Sequence, residues 1–230
     1  MSPSREFIKF GAICGLLTAL TTLAVHWLPE LWAGVNTFEE RLQLRNNPIY
    51  MGRLWVVLIH CVLVVISMAA VGVLKWSDAP ALAGFGFLGF VFFALFEMLR
   101  TAFAIFAMNR TWRAGYAAAV DPATQQSLRG IIGAFSGIND ALFFLFDAAF
   151  VLGLLCYALA LIRGEGFDRK LGFLFLFWFV VSLPAVLDAI KGGDSVSKWF
   201  GWVGLYFLPM ARAITGIWLW QKSNLLERTA

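Results

Sequence analysis

The sequence predicts an all-α fold: a polytopic bundle of six transmembrane helices with one short interfacial helix in the first outer loop. Three observations predict it. Of the 230 residues, 60% are hydrophobic and only 14% are charged, whereas a soluble domain carries about 25% charged residues. Mean hydropathy is +0.78, so lipid rather than water must solvate much of the surface. The apolar residues also gather into six continuous runs, each near the roughly 20 residues a helix needs to cross about 30 Å of hydrocarbon. Continuous runs favour helices over a barrel, whose strands alternate over short segments. The expected partner is therefore the lipid bilayer, and the chain reads as a single domain over 1–230.

The first run, 10–28, follows Arg5 and Lys9 and superficially resembles a secretory signal. It is longer than a signal core and no A-x-A site follows, so it is expected to remain as the first span. Thr37 and Glu40 then form a capping-box pattern that starts a short helix over 38–45, stopped by Asn46, Asn47 and Pro48. The second and third spans are expected at 54–74 and 81–101, the latter continuing to Met108.

Asp121 and Pro122 make an N-cap and first-turn pair. A single helix from there to Ile162 would be about 60 Å long, twice the hydrocarbon thickness. It must either project from the membrane or bend among Gly130, Gly133 and Gly137. The last three spans are placed at 143–162, 171–190 and 201–220. Gly133 with Gly137, and Gly11 with Gly15, have the spacing that lets helices approach closely.

An even number of spans puts both termini on one face. Tryptophans support the boundaries, with Trp27, Trp32, Trp55, Trp112, Trp199 and Trp202 near one interface and Trp76, Trp218 and Trp220 near the other. Lysines and arginines divide evenly between the faces. Arg5 and Lys9 before the first span favour cytoplasmic termini in a plasma (inner) membrane.

The net charge of +4 and pI of about 9.1 come without any basic run of five, so no nucleic-acid partner is expected. Cys14, Cys61 and Cys156 are odd in number, lie in apolar runs and form no C-x-x-C pair, which predicts buried free thiols.

Function is sought in the charges inside the spans, which are costly there and turn toward protein or water. Counted along the helices, Glu97, Arg100, Asp147, Asp188, His26 and His60 share the outer half, Asp140 sits at its boundary, and Arg212 lies nearest the middle. The inner half holds no such group by this count. The pattern describes a polar bowl above an apolar plug. Glu97 and Arg100 can pair three residues apart, and Ser136, Asp140 and Asp147 form one stripe on their helix. Three deep acids against two arginines leave one acid over, a candidate proton carrier or anchor for a cationic ligand.

These residues, Glu97, Arg100, Asp140, Asp147, Asp188 and Arg212, are the expected binding or proton-carrying set for a small or amphiphilic solute that is transported or sensed. Two other readings stay open. His26 and His60 could hold haem iron, or zinc if carboxylates completed the site. Alternatively, the charges only fasten helices together in an accessory subunit or homo-oligomer. No G-x-S-x-G, H-E-x-x-H, P-loop or dinucleotide fingerprint occurs. No catalytic residue is assigned, and the sequence leans away from an enzyme without deciding it.

Overall fold

Residues 4–191 and 203–229 are described by a computed structural model, 91% helical and without a strand among the described residues. Helix α1 (Arg5–Trp27) passes into a 3-10 turn (Leu28–Trp32), and the short α2 (Phe38–Gln43) follows. Then come α3 (Pro48–Lys75), α4 (Pro80–Ala102), a ten-residue π-helix (Phe103–Trp112), α5 (Arg113–Ala118) and α6 (Pro122–Ile162). The chain ends with α7 (Phe167–Lys191), a π turn (Val203–Phe207) and α8 (Leu208–Thr229).

Local chemistry sets these boundaries. Thr37 and Glu40 form the capping box of α2, the Thr37 hydroxyl accepting from the Glu40 amide at 3.2 Å and the Glu40 carboxylate accepting from the Thr37 amide at 3.0 Å. Asn47 caps α3 through the amides of Ile49 and Tyr50, with Pro48 in the first turn where a missing N–H costs nothing. Asp121 does the same for α6 through Ala123 and Thr124. Two expected ends shift outward. The second span starts its helix at Pro48, and the third continues through the π-helix to Ala118.

Five helices are long and apolar enough to span a membrane: Arg5–Trp32, Pro48–Lys75, Pro80–Ala118, Pro122–Ile162 and Phe167–Ile190. The sixth expected span, 201–220, begins outside the described residues, as do Trp199 and Trp202; its described part is the π turn and α8. Leu20, Ile59, Phe85 and Phe173 are among the large apolar side chains that turn outward.

The long helices pack as a ring, α1 against α3, α3 against α4, α4 against α6, α6 against α7, with α8 closing against α1. Two glycine seams bring backbones together. A Cβ on Gly89 of α4 would lie 2.6 Å from the Gly153 Cα of α6, and one on Gly15 of α1 would lie 2.9 Å from the Gly216 Cα of α8. Gly11 meets Ala70 of α3. The expected close approach at Gly11 and Gly15 is therefore present. At Gly133 and Gly137 it is not, because a Cβ there meets nothing within 4 Å. Nor is α6 interrupted at its glycines; it runs as one helix of 41 residues.

Tyr157 ties α6 to α3 and α4. Its hydroxyl donates to the Met68 carbonyl at 2.7 Å and its ring stacks on Phe90 at 5.7 Å. The thiols of Cys14, Cys61 and Cys156 are free and buried.

One expectation needs correction. The end of the bundle that carries the termini holds buried charge: Asp168 accepts from Lys75 at 2.5 Å, from Lys222 at 2.6 Å and from the Trp218 indole at 2.9 Å. Counting depth from 74 and 171 left Lys75 and Asp168 in loops, whereas α3 and α7 extend past those positions and draw both inward. Trp218 is fully buried as part of this cluster. Val64, Met68, Val71, Leu154, Tyr157, Leu161, Leu171 and Phe175 form the apolar layer above it.

Gly89→Ala and Gly153→Val are each expected to lose about 1–3 kcal/mol through overpacking, read as a lower thermal midpoint in detergent. Gly133→Ala should instead be neutral or gain up to about 1 kcal/mol, since it removes helix-interior glycine without a clash. The Asp121 carboxylate is held below the usual aspartate range by the amide and hydroxyl of Thr124 and the amide of Ala123. Its contribution is complete above the ordinary aspartate pKa and is lost as pH falls through the lowered one. Asp121→Asn, which keeps a cap but cannot titrate, should flatten that acid limb in a pH series of thermal midpoints.

Candidate functional site

A cavity of about 140 Å³ lies among α1, α3, α4, α6, α7 and α8, with walls that include Thr22, His26, Arg53, His60, Glu97, Arg100, Asp147 and Arg212. Phe93, Phe143, Phe146, Phe150 and Trp178 line it as well. The volume accommodates a small solute or several waters. It sits at the end of the bundle away from the Asp168 cluster. His60 and Lys75 are fifteen residues apart on α3, about 22 Å at 1.5 Å per residue.

Six of the eight residues singled out from the sequence, Glu97, Arg100, Asp147, Arg212, His26 and His60, meet in these walls. Two do not. Asp140 is exposed on α6, within 3.3 Å of the Asn139 amide nitrogen. Asp188 is half-buried on α7 after Pro184 and is not among the described walls. Of the Ser136, Asp140 and Asp147 stripe, only Asp147 reaches this cavity.

Each charge has a different environment. Arg100 lies against Glu97 of its own helix in a two-point contact, Nε to Oε2 at 2.8 Å and Nη2 to Oε1 at 2.5 Å. Its third nitrogen reaches α6, donating to the Asn139 amide oxygen at 3.2 Å. The cross-helix partner of Arg100 is thus an amide and not a carboxylate. Arg212, 3% exposed, stacks over Trp178, Phe90 and Phe150 with its guanidinium carbon 4.8, 5.6 and 5.9 Å from the ring centres. Contacts with ring faces stabilise a desolvated cation by about 2 kcal/mol or more. One of its nitrogens, Nη1, is buried with no hydrogen-bond partner among the described residues.

The surplus acid expected from the sequence is not kept here: the walls hold three arginines, Arg53, Arg100 and Arg212, against two acids, Glu97 and Asp147. Asp147 is the acid without a direct partner. It is 5% exposed and makes no hydrogen bond or ion pair with any described residue. A buried carboxylate in that condition is costly. Nearby, the phenyl rings of Phe93, Phe146 and Phe150 pack on one another at 4.6 to 5.2 Å.

The histidines belong to the walls from the α1 and α3 side. His60 Nδ1 is 2.8 Å from the Thr21 hydroxyl, which also lies within hydrogen-bond reach of two α1 carbonyls. The His26 ring lies against Gly204, where a Cβ would come 2.9 Å from Nδ1. Among the described residues no group of three or more His, Cys, Asp and Glu side chains gathers as a metal-ligand set.

Arg53 is a wall residue that the sequence reading left in a loop. Its guanidinium donates to the Val25 carbonyl at 2.9 Å, joining α3 to the end of α1. The signal for it was the Asn47-Pro48 helix start, which puts Arg53 in the second turn of α3 rather than before it. No protein-family model matches the chain, and comparisons with curated proteins and with solved structures also give no match.

The Asp168 cluster provides a structural contrast to Asp147. Removing one member of a buried ion pair typically costs about 3–5 kcal/mol, while replacing both partners with apolar groups is far milder. Asp168→Ala is therefore expected to lower the thermal midpoint strongly, and a Lys75→Met, Asp168→Leu, Lys222→Met triple variant should recover part of the loss, the Trp218 indole N–H staying unpaired.

Proposed function

We propose that this is a multi-pass membrane protein whose cavity binds a small amphiphilic solute bearing a cationic group, for transport or sensing. The observation that carries the reading is Asp147, a buried acid in an aromatic-walled cavity with no partner among the described residues. In this reading a cationic group that enters the cavity is its direct partner. Organic cations are held well by a carboxylate set among ring faces.

In this reading α8, continuous with the apolar run 201–220, is the sixth crossing and α2 lies at the membrane surface. The ion pair of Arg5 with Glu227, 2.6 Å, and the stacking of Lys9 on Trp220 support termini at one face. Arg5 and Lys9 support a cytoplasmic face in a plasma membrane. The cavity then opens outward above the apolar layer.

The test uses purified protein in detergent and a panel of small organic cations, choline and tetramethylammonium among them, read by thermal shift and calorimetry. Asp147→Asn should keep or raise the unliganded midpoint, because a buried charge without a partner is removed. It should also weaken cation binding about 10-fold to 100-fold, the loss of one charge-assisted contact. A panel in which no cation stabilises the wild type saturably, or an Asp147→Asn variant that binds as the wild type does, overturns the reading.

A further inference from the structure

A second cavity, about 490 Å³, lies outside the first, between α2, the π-helix with the start of α5, and the first half of α6. Its walls hold three arginines, Arg41 of α2, Arg113 of α5 and Arg129 of α6. No aspartate or glutamate lines it among the described residues, and none of the three arginines forms an ion pair with a described residue. Glu40 is turned away, its carboxylate accepting from the Asn36 and Thr37 amides. Asp140 also lies outside the walls.

Arg113 makes this arrangement more than a basic surface. It is 8% exposed, one terminal nitrogen donates to the Asn109 amide oxygen at 2.8 Å, and its Nε is buried without a hydrogen-bond partner among the described residues. Arg129 and Arg41 are exposed at the rim, and Arg129 stacks over Phe38 at 4.6 Å. A deep guanidinium, two rim guanidiniums and no acid among the described walls is a charge pattern that an oxyanion completes. Guanidinium forks match the geometry of phosphate oxygens. Phe38, Leu42, Met108, Ile132 and Phe135 add an apolar wall beside the charges, which suits a phosphate attached to a hydrocarbon.

We propose that Arg41, Arg113 and Arg129 form a binding site for a phosphate group, distinct from the aromatic cavity. Basic pockets between helices near a membrane face take lipid headgroups in this way. The same three donors serve the phosphate of a soluble ester. Both sources share one chemistry, and separate experimental arms distinguish them.

In one arm, native mass spectrometry of the detergent-solubilised protein follows adducts with phosphatidic acid and phosphatidylglycerol against phosphatidylcholine. In the other, thermal shift compares inorganic phosphate with chloride at equal ionic strength. The expected result is preferential binding in at least one arm, lowered at least 10-fold by Arg129→Gln and by Arg41→Gln. These rim variants should fold even if Arg113→Gln does not. Arg163→Gln, at the far end of α6, should bind as the wild type does. Anionic-lipid adducts without a phosphate shift assign the site to a headgroup, and the reverse assigns it to a soluble phosphate. Lack of preference in both arms, or unchanged binding in both rim variants, overturns the proposal. Failure of the organic-cation panel leaves this outcome unaffected, since the two cavities share no wall residue.

Discussion

A charge surrounded by apolar side chains must be compensated within a few ångströms, and this requirement organises the molecule. Asp168 satisfies it with two ammonium groups and an indole N–H. Glu97 and Arg100 satisfy it along one helix face. Arg212 meets it with ring faces in place of a carboxylate. The three solutions differ in what they leave available. The Asp168 cluster joins α3, α7 and α8 with its carboxylate fully engaged. The ring of aromatics under Arg212 leaves one donor unused, and Asp147 in the same walls makes no hydrogen bond or ion pair with a described residue. Incomplete compensation thus coincides with the cavity, while full compensation coincides with the solid end of the bundle.

Much of this was legible in the chain because apolar run length and terminal capping are local signals. The starts of α2 and α6 followed from Thr37, Glu40, Asp121 and Pro122, and depth counting brought six of eight marked side chains to one place. What escaped was set by neighbours. Gly11 with Gly15 and Gly133 with Gly137 have identical spacing, yet only the first pair meets other helices; spacing states that an approach is allowed, and the partner decides whether it occurs. Lys75, Asp168 and Arg53 were missed for a different reason. Hydropathy marks where the apolar run ends, whereas the helix continues into polar residues that pack inward when a counter-charge or carbonyl is near. No sequence signal identified the π-helix, whose side chains Asn109 and Thr111 bond back to carbonyls five residues earlier.

Asn139 connects the two cavities. It lines the arginine pocket, and its amide oxygen receives Arg100, which lines the aromatic one. Arg100 in turn holds Glu97. The wider turns of the π-helix precede Arg113 directly, and irregular helical segments of this kind recur at functional positions. The two cavities, which share no wall residue, are therefore neighbours across Asn139.

The unbroken length of α6 has a mechanical meaning. Its tight contact with α4 lies at Gly153, six residues from Asp147 and twenty-four from Arg129. At about 1.5 Å per residue these are arms of roughly 9 Å and 36 Å on one stiff rod. Any rocking about the glycine contact displaces the arginine end about four times as far as the acid. A small adjustment of the wall around Asp147 is thereby magnified at the far tip, and a force applied at that tip reaches the acid with a fourfold advantage.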